Sequence, residues 1–131
     1  MRFPKRLKTI NFIQMKFNLR APDWDAVYKA KSILETRYVD RILVADLASQ
    51  VNIYERKLEL GFRHLFGMTV HQYILQKRIE LAMEYLKSDR FNIKETAYAC
   101  GFNDISVFNR AFKRITGASP SDWKKLHVPR A

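Results

Sequence analysis

Side chains that commonly carry catalysis or bind metals are few in this sequence of 131 residues, and they are not grouped. The three histidines, His64, His71 and His127, show no ligand spacing with the only cysteine, Cys100, or with a cluster of carboxylates. No glycine-rich phosphate loop and no nucleophile motif is present. The sequence therefore predicts that the chain is not an enzyme, needs no cofactor and holds no metal.

Two further features could suggest chemistry. Cys100 could be a reactive thiol, but a cysteine in an apolar context more often packs as a small hydrophobe. A single cysteine excludes an intramolecular disulfide and fits a reducing, cytoplasmic location. Arg78 and Glu80 could be an active-site pair, but their spacing on a helix favours structural ions, with Arg78 reaching Asp104.

The chemistry that the sequence does favour is the binding of a polyanion. Residues 101–117, "GFNDISVFNRAFKRITG", and residues 47–67, "LASQVNIYERKLELGFRHLFG", each combine buried-type aromatic residues with basic side chains. A buried helix needs the first property, and a polyanionic partner attracts the second. The two segments together predict helices with an apolar inner face and a cationic outer face.

The overall charge agrees with this interpretation. Lys and Arg number 24 against 13 Asp and Glu, giving a net charge of +11. Such a balance favours nucleic acid or an anionic membrane surface as partner, while an inert basic surface is the alternative. No apolar run is long enough for a transmembrane helix, and no secretory signal is recognisable.

The first 22 residues form a basic leader with six cationic and no acidic side chains. Residues 13–19 alternate apolar and polar side chains, which is typical of a half-buried strand. Nothing else in the chain reads as a partner strand. The leader could therefore pair with another chain, order on binding, or be the remnant of an upstream domain.

The remaining sequence, residues 23–131, predicts an all-α fold of about seven helices. The first should begin with Asp23 as its N-cap and continue to about residue 38. Later helices are expected near 43–50, 54–66, 70–87, 93–100, 104–116 and 120–126. The helix at 70–87 is the strongest, and apolar residues surround much of it.

The chain repeats itself with an offset of about 50 residues. Leu58, Phe62 and Gly67 align with Phe108, Phe112 and Gly117, and further upstream the offset is 49. A period near 50 is also compatible with a solenoid. Two copies separated by one long helix favour two small subdomains instead, at about 40–67 and 93–117, with a linker helix at 70–87.

Each copy has the spacing of a helix-turn-helix. Ala97 offers the small side chain that lets a second helix cross closely, and Gly101, four residues later, suits a turn with positive φ. Ala48 and Asn52 occupy the same places in the first copy, and asparagine tolerates the left-handed conformation. Asp104 should cap the following helix.

The two helix-turn-helix segments resemble those of a known family. "IKETAYACGFNDISVFNRAFKRITGASPSDW" is similar to the signature segment of AraC/XylS-type transcription regulators, and residues 47–86 resemble the first helix-turn-helix and linker helix of that domain. The resemblance covers about residues 40–126. It implies a bacterial domain whose two helix-turn-helix units enter successive major grooves of double-stranded DNA.

The resemblance also implies which residues contact DNA. The positions that match base-reading residues are Arg56, Glu59, Leu60, Ile105, Ser106, Val107 and Arg110. Arg63, Lys113 and Arg114 match positions suited to phosphate contacts. Arg110 could bind a guanine edge or a phosphate, and the sequence does not separate these roles.

Departures from the family pattern affect three of these positions. Leu60 and Ile105 stand where many relatives have polar residues that read bases. These two side chains could contact thymine methyl groups instead, or could take no part in base readout. Val107 replaces an aromatic residue or histidine. Residues 53–70 look most like the branch of the family that regulates genes for iron–siderophore uptake.

The expected function is thus sequence-specific gene regulation, with RNA polymerase as a partner implied by resemblance alone. Regulators of this family commonly carry an N-terminal effector or dimerisation domain, which the first 40 residues cannot contain. One alternative is a protein-interaction module that modulates another regulator. Another is a peripheral membrane binder that uses the basic leader, although we expect no membrane partner.

Overall fold

A computed structural model describes residues 19–128 of the chain, and all regular structure in this range is α-helical. The helices are α1 (Ala21–Arg37), α2 (Val44–Gln50), α3 (Glu55–Phe66), α4 (Val70–Ser88), α5 (Ile93–Ala99), α6 (Ile105–Thr116) and α7 (Pro120–His127). The prediction of an all-α fold with about seven helices is confirmed. The predicted strand at 13–19 lies outside the described residues except for Leu19, which is buried.

The start of α1 differs from the prediction. The helix begins at Ala21, and Asp23 lies within its first turn, where its Oδ2 accepts a hydrogen bond from the backbone N–H of Arg20 at 2.9 Å. The assignment of Asp23 as N-cap was therefore wrong. A carboxylate three residues into a helix satisfies the preceding N–H group and favours the positive end of the helix dipole.

The described chain divides into two compact units. The first contains residues 19–37 and Ile42–Tyr73, and the second contains Tyr38–Arg41 and residues 74–128. The long helix α4 therefore contributes its first turn to the first unit and the remainder to the second. The predicted boundaries of the leader and of the two subdomains stay predictions.

In the first unit, α1 packs against α3 around an apolar core. Val27, Leu58 and Phe62 are fully buried there. The two helices approach closely at Gly61, where a Cβ atom would lie 2.8 Å from a methyl group of Val27 and 3.4 Å from the Trp24 ring. A larger residue at this position would force α1 and α3 apart.

In the second unit, α4 to α7 enclose one apolar cluster. Ile79, Ala82 and Leu86 of α4 face Ala97, Phe108 and Phe112, and all six are fully buried. Aromatic rings connect the cluster, because Phe108 lies 5.7 Å from Phe112 and Phe112 lies 5.9 Å from Trp123 between ring centroids. Edge-to-face contacts of this kind add to the stabilisation from burial. No helix in residues 19–128 is long and apolar enough to cross a membrane.

Candidate nucleic-acid interface

The first helix-turn-helix is formed by α2 and α3. Asn52 in the turn has φ of 56°, and the backbone N–H of Ile53 donates to the Ala48 carbonyl at 3.0 Å. Ala48 is almost fully buried, as a close crossing of the two helices requires. The left-handed residue predicted at Asn52 is confirmed.

The second helix-turn-helix is formed by α5 and α6 in the same way. Gly101 has φ of 98°, and the N–H of Phe102 donates to the Ala97 carbonyl at 3.0 Å. Asp104 caps α6, since its Oδ1 accepts from the N–H groups of Ser106 at 2.7 Å and Val107 at 3.3 Å. The repeat predicted from sequence is therefore a repeat of backbone geometry, down to matching hydrogen bonds in the two turns.

Helix α6 separates an apolar inner face from a cationic outer face. Phe108 and Phe112 are fully buried, and Ile115 is half-buried against them. The outer face carries Ser106, Val107, Arg110, Lys113 and Arg114, all exposed, with Ile105 half-buried at its start. Because α6 contains no acidic residue, every charge on its outer face is positive.

The three cationic side chains of α6 are accessible to an anionic partner. Among residues 19–128, none of Arg110, Lys113 and Arg114 forms an ion pair with a carboxylate. An exposed cation without an internal partner loses little when it binds a phosphate or a base edge. The structure thus brings the predicted DNA-contacting residues of the second unit to one accessible surface.

Helix α3 presents a more mixed surface. Arg56 and Arg63 are exposed, whereas Glu59 and Leu60 are half-buried. The Oε2 atom of Glu59 lies 3.4 Å from the backbone N of Val70, at the start of α4. Glu59 and Leu60 are therefore partly occupied by contacts within the protein.

The N-terminus of α3 lacks the side-chain cap that α6 has, and the predictions from sequence did not include this difference. Tyr54 occupies the N-cap position, makes no capping hydrogen bond through its side chain, and is 79% exposed. A groove of about 390 Å³ adjoins it, lined by Asp23, Ser49, Asn52, Ile53, Tyr54 and Lys57. The signal was available, because the offset of 50 aligns Tyr54 with the capping residue Asp104.

Arg78 of α4 does not pair with Asp104 among the described residues. Its Nε donates to the Tyr38 carbonyl at 2.6 Å and its Nη2 donates to the Asp40 carbonyl at 2.9 Å. The guanidinium carbon also lies 5.6 Å from the centroid of the Phe102 ring. The predicted pair was wrong because Asp104 caps its own helix and Arg78 binds backbone carbonyls instead.

Cys100 is a core residue rather than an exposed thiol. It is fully buried in the apolar cluster of the second unit. Burial raises the pKa of the Cys100 thiol to about 12, although the nearby positive charge of Arg78 acts in the opposite direction. A thiol that stays protonated at neutral pH is a poor nucleophile and a poor metal ligand. Residues 19–128 contain no group of His, Cys, Asp and Glu side chains that could hold a metal ion.

These features define a class: a domain with two helix-turn-helix units, each presenting a helix with charged side chains to solvent. Residues 47–126 match the family model described as "Helix-turn-helix domain". The transcriptional activator RhaR of Escherichia coli K12 is 40% identical over 73 residues, which is 56% of this chain and 26% of RhaR.

Solved structures show the same fold. A probable AraC family transcriptional regulator from Rhodopseudomonas palustris superposes with a TM-score of 0.73 at 20% identity, covering 80% of this chain and 99% of that one. The DNA-binding domain of AdpA, crystallised with a target DNA, superposes with a TM-score of 0.71 at 22% identity. The match covers 76% of this chain and 90% of the AdpA domain.

The chain belongs to the AraC-type family of helix-turn-helix, DNA-binding transcription regulators. This confirms the resemblance seen in the sequence and favours DNA binding over a protein-interaction module. The chain spans less than half the length of the curated relatives that it matches. The resemblance to regulators of iron–siderophore uptake stays a prediction, as do the individual DNA-contacting residues.

Proposed function

We propose that this chain binds double-stranded DNA sequence-specifically, with α3 and α6 as recognition helices that enter successive major grooves. The observation that carries the proposal is the outer face of α6, where Arg110, Lys113 and Arg114 are exposed and form no ion pair with a carboxylate among residues 19–128. The aromatic core of the second unit lies beneath this face. A helix of this kind fits the major groove and is attracted by the phosphates on either side.

On α6, base readout is assigned to the first two turns. Ser106 can donate to or accept from a base edge, while Ile105 and Val107 offer apolar contacts to thymine methyl groups. Arg110 is one turn further along and is long enough to bind a guanine with two hydrogen bonds. Lys113 and Arg114, near the C-terminal end, are assigned to phosphates, which supply affinity without sequence information.

On α3, the corresponding base readers are Arg56 and Leu60, with Arg63 assigned to a phosphate. Glu59 fits an acceptor for the amino group of cytosine, although its carboxylate already lies near Val70 N. Tyr54 is added here on the basis of its exposure. Its hydroxyl group borders the same groove as the ammonium group of Lys57, which lies 3.5 Å from Asp23 Oδ2. Both groups suit a phosphate at the edge of the major groove.

The biological role follows from specific binding. We propose that the chain acts in the bacterial cytoplasm, where promoter DNA is accessible, and activates transcription through contact with RNA polymerase. The support is family membership and the similarity to RhaR, a transcriptional activator. The proposal involves no catalysis and no cofactor.

Salt dependence tests the proposal directly. Binding of the chain to a duplex selected from a random library should weaken steeply between 50 and 200 mM salt, with roughly 0.9 ion released per phosphate contact. Lys113→Ala should reduce the slope of log K against log salt concentration by about one, with an unchanged base preference. Binding that is insensitive to salt, or equal for all duplexes, would overturn the proposal.

A further inference from the structure

The connection between α1 and α2 belongs to a different unit from the two helices that it joins. Residues Tyr38–Arg41 lie between two helices of the first unit, yet they are part of the second unit. Arg78 binds them there through the two backbone carbonyls described above. Lys77, the preceding residue of α4, also has its ammonium group 6.0 Å from the centroid of the Tyr38 ring.

The same guanidinium group lies at the turn of the second helix-turn-helix. Its carbon is 5.6 Å from the Phe102 ring centroid, and the Phe102 and Phe108 rings are 5.2 Å apart. At Gly101 the fit is so close that a Cβ atom would lie 2.4 Å from the Val39 carbonyl oxygen and 3.1 Å from Arg78 Nε. Three separate chain segments therefore meet at Arg78.

The turn at Gly101 leads directly into α6. Ile105, Ser106 and Val107, in the first turn of that helix, follow it by only four to six residues. They are therefore the residues of α6 nearest to this turn along the chain. A half-buried guanidinium with two carbonyl acceptors and a ring contact is a rigid support, because its planar fork fixes several directions at once.

The charge of Arg78 is well suited to this role. Burial lowers the pKa of the guanidinium group, while Cys100 and Asp40 act in the opposite direction. Arginine nevertheless stays charged at neutral pH, because its ordinary pKa lies far above neutral. Its hydrogen bonds to carbonyls are therefore charge-assisted, and removing them would leave two carbonyl groups without these partners.

We infer that Arg78 is a positioning residue for DNA recognition by the second unit: it pins Tyr38–Arg41 against the Gly101 turn and so fixes the first turn of α6. The inference rests on the proposed function of α6. It assigns to Arg78 no contact with DNA. Its expected signature is a loss of readout at the half-site of the second unit alone.

The test uses the full chain and duplexes that carry the selected motif with one half-site scrambled at a time. The half-site read by the second unit is the one degraded by Arg110→Ala. Arg78→Met should weaken binding to duplexes that retain only this half-site by about tenfold, the effect of losing one or two base contacts. Binding to duplexes that retain only the other half-site should change less than twofold.

Two controls separate positioning from charge. Lys87→Met removes the same charge from the same helix and should affect both half-sites alike and weakly. Arg78→Lys keeps the charge but cannot reproduce the two-pronged fork, and it should retain most of the selective defect. If Arg78→Lys binds as the unaltered chain does, the role of Arg78 is electrostatic and the inference fails.

A further control separates positioning from stability. Thr96, in the same unit, is fully buried with a hydroxyl group that has no hydrogen-bond partner among the described residues, so Thr96→Val is expected to stabilise this unit. Arg78→Met and the double variant Arg78→Met, Thr96→Val are both studied where circular dichroism shows them folded. Recovery of binding along with the melting temperature would contradict the inference. Persistent loss at the second half-site, with faster amide hydrogen exchange at residues 101–107, would support it.

The inference and the proposed function fail in different ways. If the unaltered chain selects no motif, DNA readout itself is refuted and the role of Arg78 falls with it. If the unaltered chain selects a motif with two half-sites, and Arg78→Met weakens both equally or neither, only the inference is overturned.

Discussion

The α-carbon of Gly101 faces the carbonyl group of Val39 so closely that a methyl group there would lie 2.4 Å from the oxygen. Gly101 also has φ of 98°, a region that side chains disfavour. Two independent constraints therefore act at one position. Gly117 shares the positive φ, at 87°, but a Cβ there would meet nothing within 4 Å.

The comparison of these two glycines gives a first prediction. Gly117→Ala should lower the free energy of unfolding by about 1–2 kcal/mol, the cost of the left-handed conformation. Gly101→Ala should cost more than about 3 kcal/mol, because the backbone must also move away from Val39. Equal shifts of the two variants in urea unfolding would show that the contact between Gly101 and Val39 is absent.

A second prediction concerns the buried hydroxyl group of Thr96. Thr96 is fully buried, and its Oγ1 has no hydrogen-bond partner within residues 19–128. Thr96→Val keeps the shape and removes the unsatisfied group, so we expect it to stabilise the chain by about 1 kcal/mol. A rise in the denaturation midpoint with an unchanged slope would confirm this.

Thr116 is the matched control, because its Oγ1 donates to the Phe112 carbonyl at 2.8 Å or the Ala118 carbonyl at 3.0 Å. Thr116→Val should destabilise the chain by about 1 kcal/mol, since these carbonyls lose a donor. If both threonine variants shift stability in the same direction, hydrogen bonding is not what distinguishes the two sites.

A third prediction sets stability against binding at Tyr54. Serine caps a helix N-terminus and tyrosine does not, so Tyr54→Ser should stabilise α3 by about 0.5–1 kcal/mol. The same change removes the exposed aromatic side chain proposed to contact DNA, so affinity should fall. Ser119 provides a reference, because its Oγ already accepts from Asp122 N at 3.2 Å. A variant with unchanged affinity would exclude Tyr54 from the interface.

A fourth prediction concerns Cys100, whose pKa burial raises to about 12. A raised pKa means that the protonated thiol is favoured by folding. Its contribution to stability is present below the unfolded pKa of about 8.5 and is lost as pH rises toward the folded value. At pH 8 the thiol should not react with a disulfide reagent until the chain is unfolded by urea. Fast labelling of the folded chain would contradict the burial of Cys100.

The features that could be predicted from the sequence depend on residues close together along the chain. The turns at Asn52 and Gly101, the cap at Asp104 and the buried faces of α3 and α6 all follow from short-range chemistry and helical periodicity. Each of these signals lies within one or two turns of the residue it concerns. The repeat strengthened them, because each feature had to occur twice.

The predictions that failed depended on contacts between distant parts of the sequence, or on features that no residue type indicates. Arg78 binds the carbonyl groups of Tyr38 and Asp40, about 40 positions away, and a carbonyl acceptor looks the same at every residue. Asp23 was misassigned because a carboxylate near a helix start can act from the N-cap or from the third helical position. The occupation of Glu59 by the start of α4 was equally invisible, since it depends on how the chain turns at Gly67.

The central claim, that α3 and α6 read DNA as a pair, is tested most directly by selecting duplexes from a random library at about 150 mM salt. The intact chain, Arg110→Ala and Arg56→Ala are compared in parallel. We predict a motif with two half-sites about one helical turn apart, with Arg110→Ala degrading one half-site and Arg56→Ala the other. Recovery of no motif by the intact chain, or loss of the same bases in both variants, would contradict the account.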